Sequence, residues 1–171
     1  MATCTSKIWK WRVPCKIKLF IWLVLQGRIL TKMYRAKWRP EEPTECTFCG
    51  NEPESIEHLL FNCTTSACFW ERLGEAAGFR CAFHDMEELW QLMDALLNQG
   101  EKCTQGRFRR IVIPAGLWTI WRVRNAMLFK GQMVYAENLW DDVLRLLKDW
   151  GQFLVGARVV WEPGGSFRID A

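Results

Sequence analysis

Between Cys15 and Gln26 the apolar positions run almost without interruption after Lys18, the pattern of a helix buried on most of its sides. Pro14 suits the first position of that helix and Gly27 its stop, although the β-branched content keeps a strand open as the alternative. Thr31 is placed to cap a second helix running to about Trp38. Pro40, Pro43, Gly50 and Pro53 then break regular structure. A short helix starting near Ser55 carries His58, and another opens at Thr65 or Ser66 and continues through Trp70 and Leu73. Asp85 with Glu88 three residues on forms a capping box. It opens a helix with Leu89, Trp90, Leu92, Met93, Leu96 and Leu97 on one stripe, stopped at Gly100. Gln105 to Lys130 is helical by pattern, with Pro114 expected to kink or split it. From about Glu137 to Leu154 the positions Leu139, Val143, Leu146, Leu147, Trp150 and Leu154 share one side of a last helix. Only Val159 to Ile169 reads as extended. The expected fold is mainly α, a small helical domain around a metal loop, then amphipathic helices and a short extended C-terminal tail.

Composition supports a packed chain. Half of the 171 residues are apolar, a quarter are charged, and eleven are tryptophan, more aromatic content than a disordered chain of this charge carries. Met1 to Arg12 has Trp9 and Trp11 among basic residues where a signal peptide has an apolar stretch. Leu19 to Leu25 falls far short of the roughly 20 apolar residues that cross a bilayer. The sequence therefore reads as soluble and intracellular, with the nucleus one such setting and no membrane partner. There, eight cysteines point to metal ligands and buried thiols rather than disulfides.

The net charge of +4 conceals a division. Residues 1–40 hold ten Lys/Arg and no acid, residues 41–104 hold three against thirteen acids, and 105–130 are again purely basic. Two basic blocks flanking an acidic middle are either solvated faces or surfaces for a polyanion.

The most informative pattern is Cys46-Thr-Phe-Cys49-Gly50, followed by His58 and Cys63, a C-x2-C-x8-H-x4-C array. Two thiolates two residues apart grip one ion from a tight turn, and Gly50 supplies the backbone freedom such a turn needs. Three thiolates and one neutral imidazole fill a tetrahedral Zn²⁺ shell and leave no position for water, so the site is expected to be structural. Cys68, five residues past Cys63, is the nearest rival ligand, but beside Phe69 and Trp70 it reads as a buried small hydrophobe. Cys4, Cys15, Cys81 and Cys103 read as ordinary, and His84 as a surface side chain.

These residues resemble the zinc-binding domain that follows the polymerase in plant LINE-type (non-LTR) retrotransposon reverse transcriptases. The resemblance covers residues 7–73. It rests on Ile8-Trp9, Val13-Pro14, Lys16, Lys18, Phe20 and Trp22, Gly27-Arg28-Ile-Leu-Thr31, the Cys46 pair, Glu54-Ser-Ile-Glu-His58-Leu-Leu-Phe61, Cys63 and Trp70. The family pattern has proline where this chain has Cys15. Leu117-Trp-Thr-Ile-Trp121-Arg-Val-Arg-Asn125 through Phe129 resembles a helix common downstream of that domain, within a helical linker region spanning 85–155. Trp161 to Ala171 resembles the opening of a ribonuclease H domain, truncated here at 159–171, in which Asp170 would match the first metal-binding carboxylate. The remaining carboxylates are not in this sequence, and Asp170 alone performs no two-metal chemistry. No aromatic-led Asp-Asp turn of a polymerase occurs; Asp141-Asp142 fall on a solvated helix face. The chain is thus expected to be a non-enzymatic piece from between two enzymes.

The resemblance implies three readings. In the first, the module helps hold RNA or DNA, through Lys7, Lys10, Arg12, Lys16, Lys18, Arg28, Lys32, Arg35, Lys37 and Arg39, with Trp9, Trp11 and Tyr34 interleaved for stacking. The loop around the zinc carries Glu52, Glu54 and Glu57 and is a poor phosphate surface, so contacts would fall on residues 7–39. In the second, it is a zinc-stapled spacer binding the reverse transcriptase or ribonuclease H domains of a parent polyprotein. The third is a retroelement remnant without a role. Trp22, Trp90, Trp118 and Trp121 are assigned to core packing.

Overall fold

The computed structural model describes residues 7–81, 83–98, 103–131 and 136–170. Cys4, the proposed helix stop at Gly100 and the terminal Ala171 lie outside them.

Helix α1 (Cys15–Leu25) follows Pro14, which sits one residue ahead of the helix, and turns its Ile17, Phe20, Ile21 and Val24 inward. Thr31 caps α2 (Lys32–Arg35) by accepting the Tyr34 N–H at 3.3 Å. The helix is one turn long rather than reaching Trp38. It buries no residue of its own, and so short a helix has no packing to extend it. A wide π-helical turn, His58–Asn62, leads into α3 (Thr64–Ala77). Helix α4 (Met86–Asn98) opens as its sequence dictates, with the Glu88 N–H donating to Asp85 Oδ1 at 2.8 Å and Glu88 Oε2 accepting the His84 N–H at 2.7 Å.

Helix α5 (Thr104–Lys130) runs through Pro114 as one helix, so of the expected kink or split the split does not occur. Pro114 stands in the middle of residues 111–117, every one of them buried. Packing on all sides of this stretch outweighs the roughly 3 kcal/mol that an interior proline costs. Helix α6 (Ala136–Trp150) buries Leu139, Trp140, Val143, Leu147 and Trp150, and gives way to a second π-helical turn, Gly151–Val155. The extended tail is an antiparallel hairpin, β1 (Arg158–Trp161) and β2 (Phe167–Asp170), in register from Arg158 opposite Asp170 to Trp161 opposite Phe167.

Helix α5 is the axis on which the other elements pack, touching α1, α3, α4, α6 and β2. Phe20 of α1 meets Trp118 edge-on at 5.3 Å and stacks on Trp121 at 5.9 Å, while the hairpin is seated by Phe167 against Phe108 at 5.3 Å and Trp161 against Trp140 at 5.0 Å. One continuous core extends from Ile8 to Val159, with Trp22, Trp90, Trp118 and Trp121 packed partly buried against it.

Helix α3 comes very close at Gly116, where a Cβ would lie 2.5 Å from Trp70 Cζ3 and 3.1 Å from Leu73 Cδ2. Gly116→Val is therefore expected to lower the unfolding free energy by about 1–3 kcal/mol. Gly164→Ala, in open space on the hairpin turn, should change it by less than about 0.5 kcal/mol, both read by urea unfolding.

Candidate metal centre

An isolated antiparallel bridge between Glu45 and Pro53 closes the loop that carries the first two cysteines. Inside it the Cys46 N–H donates to the Glu52 carbonyl at 2.7 Å, and the Gly50 N–H to the Cys46 carbonyl at 2.9 Å. Gly50 has φ +68°, the left-handed conformation that only glycine takes freely, and the chain turns there so that Cys49 faces Cys46. The Phe48 N–H points at Cys46 Sγ, 3.4 Å away.

The second half of the site depends on the π-helical turn. Ser55 starts it, its Oγ accepting the His58 N–H at 2.9 Å. In an α-helix two residues five apart point about 140° away from each other, so His58 and Cys63 would diverge. Here the Cys63 N–H bonds the His58 carbonyl at 2.7 Å, an i→i+5 closure that brings both side chains to one side. The carbonyls this wider turn releases are taken by α3: Ser66 Oγ donates to Leu59 at 2.6 Å and Trp70 Nε1 to Leu60 at 2.7 Å.

All four ligand atoms lie within 4.8 Å of one another. Cys46 Sγ and Cys63 Sγ are 3.9 Å apart, and Cys49 Sγ is 3.3 Å from His58 Nε2. A tetrahedral zinc with Zn–S near 2.3 Å sets sulfur–sulfur edges of about 3.8 Å, so the donor set and its spacing both fit Zn²⁺. Cys46 and Cys63 are fully buried and His58 nearly so. The Cys63 thiol is pulled down to about 5, first by Cys46 beside it and then by the Thr65 and Ser66 N–H groups at the start of α3, against the opposing effect of burial. The same pairing, together with burial, pushes Cys46 up. A cation shared by the two sulfurs resolves that conflict by favouring both thiolates.

Around the ligands stands a supporting shell that sequence reasoning did not assign. With His58 Nε2 turned to the sulfurs, Nδ1 faces Glu52 Oε2 at 3.3 Å, the carboxylate–imidazole arrangement that orients a zinc-bound histidine. Glu54 is wholly buried. Its Oε1 accepts the Lys32 N–H at 2.9 Å and both Nε (3.1 Å) and a terminal nitrogen (2.5 Å) of Arg124, itself only 1% exposed. Its Oε2 accepts the Thr47 N–H at 3.0 Å and Thr47 Oγ1 at 2.6 Å. Burial alone would raise the Glu54 pKa, but the hydrogen bonds from Arg124 and Thr47 and the Arg124 charge outweigh it and hold it below the ordinary carboxylate value.

Residues 2–70 match the sequence family described as zinc-binding in reverse transcriptase. The match takes in all four ligands and ends within α3, 54 residues short of Arg124. An Arabidopsis thaliana relative whose name describes a ribonuclease H protein is 32% identical over 73 residues, which is 43% of this chain and 12% of the relative. The chain thus spans about an eighth of that relative's length. No solved structure matches it. Residues 2–70 are thus similar to the zinc-binding region of reverse transcriptases, and their centre is a structural zinc site.

The ten basic residues expected to touch nucleic acid are not equally available. Lys7 pairs with Asp94 at 2.6 Å, and Glu42 binds both Arg35 (2.5 Å) and Arg39 (2.9 Å). Lys18 and Lys32 donate to the carbonyls of Trp9 and Glu45, while Lys16 and Lys37 lie over the rings of Trp118 and Tyr34. Lys10, Arg12 and Arg28 have no partner among the described residues. Trp11, assigned to stacking, is instead 2% exposed and belongs to the core; Trp9 and Trp38 are the exposed rings of this segment. Cys68 is exposed rather than buried, because α3 turns Phe69 and Trp70 inward and leaves it outside. His84 is on the surface, as expected.

Two outcomes test this centre. Zinc content should be one per chain, with chelator or Cys49→Ser abolishing cooperative unfolding. Arg124→Met should cost about 3–5 kcal/mol, because it strands a buried carboxylate, and should weaken zinc retention although the residue lies far outside the ligand loop. Since the Glu54 pKa is depressed on folding, its contribution is present above the ordinary carboxylate pKa and is lost as pH falls through the folded value. Arg124→Met should flatten that acid limb in a pH series of urea melts.

Proposed function

We propose that this chain is an accessory module of a retrotransposon-derived polyprotein that binds nucleic acid through residues 7–39, with zinc holding the fold and taking no part in contact or catalysis. The observation that carries this reading is the ten cations of that segment without one acid among them, of which Lys10, Arg12 and Arg28 are exposed without a partner among the described residues, as is the ring of Trp9, the neighbour of Lys10 in sequence. Cations next to an exposed indole suit a single strand, whose phosphates and base faces both find partners. Such a role belongs inside the cell. In the same reading 85–155 is a linker region and 159–171 the start of a ribonuclease H-like domain, with Asp170 exposed on β2.

A second reading, docking of a neighbouring polyprotein domain, is favoured by Leu30, Met33 and Trp38, which are about half exposed or more around α2. No described helix is long and apolar enough to cross a membrane, so a lipid partner has no support from a spanning segment.

Filter binding of a single-stranded RNA to the zinc-loaded chain should lose affinity steeply between 50 and 200 mM salt, with a log–log slope of about −0.7 for each phosphate contacted. Lys10→Glu/Arg28→Glu should weaken it severalfold. Absence of binding at low salt, together with capture of a reverse transcriptase domain, would replace this reading by the second.

A further inference from the structure

Arg12 from the first basic block and Arg107 and Arg110 from the second line one small cleft, together with the edge of Trp11 and apolar walls that include Ile111 and Leu154. The two blocks are separated by the whole acidic middle of the sequence, and folding brings them together where the N-terminal segment crosses the start of α5.

Two buried donors in this cleft lack acceptors. Trp11 is 2% exposed and its Nε1 has no partner; Arg107 Nε has none either, although a terminal nitrogen of Arg107 reaches Thr104 Oγ1 at 3.3 Å. Arg110 is anchored by donating to the Leu96 and Leu97 carbonyls at 3.0 and 2.7 Å, which fixes its guanidinium as one wall. Buried N–H groups are rarely left unmet, so the pair marks a place where an acceptor belongs.

The chemistry of that acceptor follows from the lining. The free volume is about 20 Å³, room for one oxygen-sized group. A water there would accept from Trp11 and Arg107, but no side chain lining the cleft accepts its own hydrogens. An anionic oxygen has no such need. Helix α5 has no acid in its first turn and carries Arg107, Arg109 and Arg110 near its N-terminus, where the helix dipole already disfavours positive charge. A bound anion offsets both effects. Asp94, the acid of α4 nearest in sequence to the Leu97 wall, is engaged by Lys7.

We propose that Trp11, Arg12 and Arg107 form a phosphate-binding cleft that takes a non-bridging oxygen of a nucleic-acid backbone, with Arg110 closing one side. The assignment rests on the nucleic-acid reading above and fixes one register point of the strand across both basic blocks.

Indole N–H resonances of the zinc-loaded full chain test it, with Trp11 identified by Trp11→Phe. A 12-nucleotide single-stranded RNA, and separately inorganic phosphate, should each shift the Trp11 resonance. Arg12→Gln/Arg107→Gln should abolish both shifts, weaken RNA binding about tenfold and flatten the log–log salt slope by about 0.7, the share of the one phosphate lost. Trp11→Phe keeps the ring in the core and both arginines, and should weaken RNA binding about threefold. A stationary Trp11 signal while RNA binds overturns the cleft and leaves the nucleic-acid reading standing. A response to phosphate with no RNA binding at low salt overturns the backbone assignment and the nucleic-acid reading, leaving a site for a free anion.

Discussion

A carboxylate with no exposed surface is tolerable only where every lone pair is met, and Glu54 meets that condition from three directions at once. The start of α2 donates through Lys32, the cysteine turn through Thr47, and the central helix through Arg124. Arg124 is completed by Asn125 Oδ1 at 2.8 Å. Remove Arg124 and a charge is stranded in the interior; remove another donor and a buried lone pair is left unmet. The cysteine loop, the short capped helix and α5 therefore hold their relative positions together or not at all.

Zinc and this ion pair constrain different things. The metal fixes the four ligands among themselves and supplies folding free energy on the order of 10 kcal/mol in comparable small zinc modules. It says nothing about where the cluster sits on the rest of the chain. The ion pair contributes little net stability beyond what a well-packed apolar pair would give, but it specifies that position. Gly116 adds to this by letting Trp70, whose indole also holds the π-helical turn, settle against α5. The zinc region is thus built into the helical body, and the residues that complete it extend well past the segment matching the zinc-binding family.

The parts readable from sequence were those whose causes are local. Four ligands at fixed spacing, the Thr31 cap, the Asp85–Glu88 box and the helix before Gly27 each depend on residues a few positions apart, and each is found in the structure. Misreadings came where distant packing decides. Pro114 breaks a helix in water but not inside a core, and the inward faces of α3 and the N-terminal segment determine that Cys68 is outside and Trp11 inside. Glu54 and Arg124 both lie in motifs visible in the sequence, yet nothing local pairs two residues 70 apart. Read alone, Glu54 looked like one more acid on a solvated loop.

The π-helical turn between His58 and Cys63 also determines where this centre tolerates changes of length. Four intervening residues are one more than an α-turn would need to bring two ligands to the same side, and the wider turn absorbs the surplus. Its released carbonyls are already committed to Ser66 and Trp70, so neither a gain nor a loss of one residue leaves these partners in place. On the other side of the site, Gly50, Glu52, Pro53 and Glu54 are each held by a specific contact, whereas Asn51 is the exposed tip of the loop. Insertions that preserve the metal therefore have one address in this loop, the tip at Asn51, and the spacing from His58 to Cys63 behaves as a fixed ruler.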